Sequence, residues 1–239
     1  MKRTALIVLA SIAAMGLAGP AASQSPAGVA AAGSSAAAGV AKFQADKDYQ
    51  VLAPAQPIVG DGAPGKVEVA EVFMYSCPHC AAFEPRLQAW LKKAPPYVSF
   101  VRVPAIWGAI PELHARAYYT AEALGKTAEI DGPFFDEIHV KHNLLGPGGD
   151  AIVDQLAAFF AKFGVDDKTF RSTFYSFAVD GKVSRAAELV KRYKVPGTPA
   201  VIVNGKYLTS GGVAGSYDTW FAIIDELVAR EHAGDGAAH

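Results

Sequence analysis

The chain has 239 residues, a formal net charge of −1 and 51% hydrophobic residues. That supplies a core for one domain of moderate size, with or without an insertion. No Lys/Arg cluster argues for nucleic acid, and no glycine-rich phosphate loop stands between a strand and a helix.

Residues 1–23 read as a secretory signal peptide. Lys2 and Arg3 form the positive start, and Ala5 to Leu17 is an apolar run too short to span a bilayer with margin. Ala21 and Ser23 fit a small-x-small cleavage site, with an uncleaved anchor as the competing reading. Residues 24–46 are expected to be a flexible Ala/Gly/Ser-rich leader, because Gly28, Gly33 and Gly39 weaken an Ala-rich helix. The chain therefore reads as exported.

Tyr49 to Leu52 is a short edge strand stopped by Pro54 and Pro57. Val67 to Tyr75 has the composition of a buried strand, in which Glu68 reads as a solvated charge. A helix is expected from about Cys80 to Lys93, with Phe83, Leu87, Trp90 and Leu91 on one stripe and a kink at Pro85. Tyr97 to Val103 is a second core strand. The spacing then turns helical over Leu113–Leu124, Phe134–His139, Ala151–Phe163 and Asp167–Phe177, and again over Lys182–Tyr193. Ala200–Val203 and Lys206–Thr209 are strands joined by an Asn204-Gly205 hairpin turn, and Thr219–Arg230 is a closing helix. This order predicts an α/β fold. One domain is built from residues 47–103 and 181–232, with a helical insertion at 104–180 and a flexible tail at 233–239.

Two cysteines, Cys77 and Cys80, are the whole thiol complement. A structural disulfide between them would close a tiny loop and gain little chain entropy, so a reactive pair is the better reading. At a strand-to-helix junction the first thiol meets the unpaired N–H groups and positive end of a helix, which favour a thiolate. Cys77 is thus the expected nucleophile and Cys80 the shielded, resolving thiol. Pro78 pre-sets the first helical turn, and His79 adds a donor and, when protonated, a positive charge. The competing reading is a metal site using Cys77, His79 and Cys80, but no fourth ligand accompanies them. His139 and His142 read as solvated helix histidines, and His114 as structural.

Cys77-Pro78-His79-Cys80, continued by Phe83 and Glu84, is one of two informative patches. The other is Val195-Pro196-Gly197-Thr198-Pro199-Ala200 with Val203-Asn204-Gly205-Lys206-Tyr207. With both patches, residues 47–230 resemble the DsbA family of periplasmic disulfide oxidases. The resemblance implies a thioredoxin-like fold with an inserted α-helical domain. It further implies a cis Thr198-Pro199 peptide facing Cys77, where Thr198 backbone groups receive an extended substrate chain. Glu71 would be a buried acid able to take a proton from Cys80, with Arg102 a candidate partner. Trp107 and Phe174 are groove candidates for which core packing is the simpler expectation.

The implied activity is donation of the Cys77–Cys80 disulfide to reduced, newly exported polypeptides. A quinone-linked membrane oxidase of the DsbB kind would reoxidise the pair. No bound cofactor or metal is expected, and the chain is expected to be monomeric. The alternatives are a disulfide reductase or isomerase, a metal-binding exported protein, and a peptide-binding chaperone without redox turnover.

Overall fold

A computed structural model describes residues 42–146 and 150–235. The expected signal peptide, the leader up to residue 41 and residues 236–239 of the tail lie outside the described residues. Gln50–Val51 (β1) is a short edge strand, and Val67–Phe73 (β2) is buried at every residue, as a central strand covered on both faces must be. Val98–Pro104 (β3) runs parallel to β2. Ala200–Val203 (β4) and Tyr207–Ser210 (β5) form an antiparallel hairpin. Asn204 and Gly205 both have positive φ, 52° and 65°, as a two-residue hairpin turn requires. A Cβ on Gly205 would lie 2.1 Å from the Gln56 carbonyl oxygen, so this position also needs glycine for space. The sheet order is β1-β5-β4-β2-β3.

The described helices are Pro78–Leu91 (α1), Ala109–Ala123 (α2), Thr127–His139 (α3), Asp150–Ala161 (α4), Asp167–Phe174 (α5), Phe177–Arg192 (α6), Gly211–Ala214 (α7) and Tyr217–Asp235 (α8). Side chains alternate across the strands. Val67, Val69, Val201 and Val203 point to one face, against Phe83 and Leu87 of α1 and Trp220, Ile223 and Leu227 of α8. Ala70, Val72, Ala200 and Ile202 point to the other, in a core shared with Tyr118 of α2 and Val183, Ala186 and Val190 of α6. That second core continues into Phe134, Phe160, Phe170 and Phe174, so the inserted helices extend the sheet's own core.

The structure shifts several expected positions. Phe43 is buried and packs with Tyr49 and Trp220, so the packed chain begins before residue 47 and takes in the end of the expected leader. α6 starts at Phe177, where Ser176 caps it by accepting from the Val179 N–H, so the boundary expected at residue 180 falls inside a helix. α8 runs to Asp235, past the expected start of the tail. Glu68 is buried rather than solvated, because its carboxylate accepts from the N–H groups of Val59 and Gly60. Trp107 is 45% exposed, whereas Phe174 is fully buried.

Candidate active site

β2 ends at Phe73, and Cys77 becomes the N-cap of α1 with extended backbone angles (φ −84°, ψ 117°). Pro78 occupies the first helical turn, where its missing N–H costs nothing, so the helix begins two residues before the expected Cys80. No side chain caps this end; its N–H groups are left for the sulfur. Across from it, the loop entering β4 carries a cis Thr198-Pro199 peptide. The Cys77 thiol donates to the Thr198 carbonyl at 3.3 Å. Cys77 and Cys80 are free thiols.

The two sulfurs sit in opposed environments. Cys77 is pulled down to about 5, chiefly by a hydrogen bond from the Cys80 thiol, which outweighs partial burial. The Thr198 hydroxyl and the N–H groups of Cys80 and His79 add to this. Cys80 is wholly buried, and that burial pushes its pKa far up. The bond it gives to Cys77 and the nearby negative charge of Glu71 push the same way. Pro78 and His79 are exposed. His79 lines a cleft of about 540 Å³ together with Thr198, Pro199, Gly211, Tyr217 and Trp220.

Beneath Cys80, register decides the rest. Glu71 and Arg102 are paired neighbours on β2 and β3 and project to the same face. Arg102 Nε donates to Glu71 at 2.8 Å, Nη1 donates to Asp131 of α3 at 2.7 Å, and Nη2 donates to Glu84 of α1. Burial raises Glu71 to about 7 against the pull of Arg102, and the Glu84 and Asp131 charges help raise it. Burial also works against the Arg102 charge, but the three carboxylates outweigh it and hold the guanidinium protonated. Tyr75 donates its phenolic proton to Asp131, and His139 Nε2 donates to the Tyr75 carbonyl at 2.7 Å. His139 is therefore a bonded, half-buried group rather than a solvated one. His114 is buried and held down to about 4 by that burial.

The sequence reading set Thr198-Pro199 facing the Cys77-Pro78-His79-Cys80 run with Glu71 below it; in the structure Cys77 meets Thr198, and the Glu71 charge acts on Cys80. It missed Asp131, Tyr75 and the cleft residues Tyr217 and Trp220. One signal was available for Asp131: it stands four and seven residues before the buried Phe135 and Ile138, a charge on an apolar stripe. Among the described residues no group of three or more His, Cys, Asp or Glu side chains is arranged to hold a metal ion.

With one thiol held down at the N-terminus of α1 and the other pushed up one turn further in, the pair can trade a disulfide with another dithiol, and that chemistry on this sheet defines a thiol–disulfide oxidoreductase with a thioredoxin-like fold. The thioredoxin family model matches residues 53–226. The thiol:disulfide interchange protein DsbA of Pseudomonas aeruginosa is 38% identical over 191 residues, 80% of this chain and 87% of that protein. DsbA of Pseudomonas syringae pv. tomato is 38% identical over 198 residues, covering 82% and 88%. The crystal structure of Pseudomonas aeruginosa DsbA superimposes with a TM-score of 0.73, covering 80% of this chain and 96% of that one. The chain belongs to the DsbA family of thiol:disulfide interchange proteins, with the thioredoxin-like fold and inserted helical domain expected from its sequence.

Proposed function

We propose that this chain works as an oxidase, donating the Cys77–Cys80 disulfide to reduced polypeptides newly exported to the periplasm. The observation that carries this reading is the divergence of the two thiols, one held down to about 5 and the other pushed far above the ordinary cysteine range. A substrate thiolate attacks Cys77 Sγ, the Cys77–Cys80 bond breaks, and Cys80 leaves as a thiolate that takes up a proton. A second substrate thiolate then attacks the substrate sulfur of the mixed disulfide, and Cys77 leaves as a thiolate. The substrate loses two electrons and the dithiol gains them. A low-pKa sulfur is the better leaving group, so the second step runs toward a released, oxidised substrate.

In this reading Glu71 supplies the proton to Cys80 and takes it back on reoxidation. The Thr198 backbone and the adjoining cleft receive the extended substrate chain. A quinone-linked membrane oxidase of the DsbB kind restores the disulfide, and the chain acts as a monomer. Helices α2 to α5 form the insertion that buttresses the site.

Cys77→Ser should abolish oxidation of a reduced test protein, and Cys80→Ser should accumulate mixed disulfides on non-reducing gels. Mixed disulfides formed through Cys80 in Cys77→Ser would reverse the assigned roles. A reduction potential near that of thioredoxin would favour the reductase.

A further inference from the structure

Arg102 brings one positive charge to three carboxylates, one each from β2, α1 and α3, and all four side chains are buried. Fully ionised, that set would leave two uncompensated negative charges in the interior, so it must retain protons near neutrality. Hydrogen bonding shows where. Asp131 accepts at both oxygens, Oδ1 from the Tyr75 phenol and Oδ2 from Arg102 Nη1. Hydrogen bonds accepted at both oxygens favour the Asp131 anion, against the burial that raises its pKa. Among the described residues Glu71 accepts from Arg102 at Oε2 alone, and its buried Oε1 has no partner. The groups acting on Glu71 are Arg102 from β3, Glu84 and Cys80 from α1, and Asp131 from α3. Tyr75 and Tyr118 of α2 in turn face Asp131.

We propose that Asp131, from the inserted helices, is a positioning residue that assigns the cluster's exchangeable proton to Glu71. It takes one edge of the guanidinium that Glu71 would otherwise hold, and it keeps a negative charge beside Glu71. α3 also grips Tyr75 a second time through His139, two residues before Cys77. The helical insertion thereby reaches the proton chemistry of the catalytic pair. This rests on Glu71 being the proton partner of Cys80.

The test uses the full chain in its reduced form with carbon-13 in the glutamate carboxyls, the Glu71 signal being assigned by its loss in Glu71→Gln. Asp131→Asn preserves shape and removes the charge; its amide oxygen can still accept from Arg102, and its NH2 then faces the Tyr75 hydroxyl, which can accept. It should lower the proton affinity of Glu71 about tenfold. The pH at which the rate of mixed-disulfide formation falls off should move down by the same factor. Asp131→Glu should restore part of the shift. Tyr75→Phe, which removes one donor from the Asp131 anion, should move Glu71 in the same direction by less, and it serves if Asp131→Asn does not fold. A Glu71 titration unmoved in a folded Asp131→Asn, or unmoved in Tyr75→Phe where only that variant folds, overturns the proposal. A Glu71 titration that moves while the rate profile ignores both Glu71→Gln and Asp131→Asn supports the Asp131 assignment and removes Glu71 from the relay.

Discussion

Closing the Cys77–Cys80 disulfide adds a crosslink and removes a thiolate, and the two changes oppose each other in stability. The crosslink closes a loop of about four residues, for which the chain-entropy relation gives ~1.9 kcal/mol. The reduced fold holds Cys77 at about 5, whereas an unfolded cysteine titrates near ~8.5. A depressed folded pKa stabilises the fold in full above the unfolded value, and the gain is lost as pH falls through the folded value. At pH 7 the gain is ~2.7 kcal/mol before screening. Cys77 retains some solvent contact, and screening reduces this to about 2 kcal/mol. The reduced and oxidised forms therefore stand nearly level at pH 7. At pH 5 the thiolate contributes only ~0.4 kcal/mol and the oxidised form leads, while above pH 8 the reduced form leads by about 1 kcal/mol or more. Glu71 is present in both forms, so its titration largely cancels. For a chain of this size each kcal/mol moves the melting point by about 2–4 °C. Calorimetry of both redox states at pH 5, 7 and 8 should show the order of melting reverse. An oxidised form that melts higher throughout, by a margin independent of pH, would mean that the Cys77 thiolate does not offset the crosslink.

Thr198→Val removes a hydroxyl that bonds the Cys77 thiolate, so the thiolate absorbance midpoint should rise and the disulfide should become less oxidising. His79→Ala keeps the backbone N–H that reaches the same sulfur, so its midpoint should move less than that of Thr198→Val; a larger move would put the His79 side chain ahead of the backbone. Arg102→Met strands three buried carboxylates, and denaturant unfolding at pH 7 should show a loss of about 3–5 kcal/mol. The loss should shrink toward pH 5 as those carboxylates take up protons; a loss independent of pH would mean that the cluster does not depend on the Arg102 charge.

The legible parts of the sequence were those in which local chemistry decides structure. Asn204-Gly205 can adopt the positive φ values of a tight hairpin with little strain, so the turn could be read directly. Cys77-Pro78-His79-Cys80 after an apolar run identifies a strand-to-helix junction because Pro78 suits only the first turn. What escaped was set by pairing at a distance. Glu68 and Glu71 lie three residues apart on one strand and look alike as charges, yet each is buried for a different reason. Glu68 meets the N–H groups of a loop, and Glu71 meets an arginine on the neighbouring strand. The β2–β3 register gives Glu71 its arginine, a burial that the sequence offered only through the family resemblance. Asp131 is far from the cysteines in sequence, and no local rule connects a helix of the insertion to an arginine on β3.

The direction of the chemistry follows from one turn of helix. Cys77 and Cys80 are the same residue type three positions apart, so any intrinsic difference between them is nil. Position N-cap gives Cys77 the unpaired N–H groups and the Thr198 hydroxyl. One turn further in, Cys80 is surrounded by core and lies near the Glu71 charge. The hydrogen bond between them acts on both at once, stabilising Cys77 as acceptor and holding Cys80 as donor. A dithiol so divided gives up Cys77 readily as a leaving group, while Cys80 must be supplied with a proton whenever it is released. Cys80 is sealed from solvent, so that proton has to come from the protein. In the proposed relay Glu71 supplies it, raised to about 7 and with one oxygen without a partner among the described residues. In the proposed relay the buried ion cluster serves as a proton reservoir, a role distinct from stability, because apolar replacement of a whole buried ion cluster is often neutral.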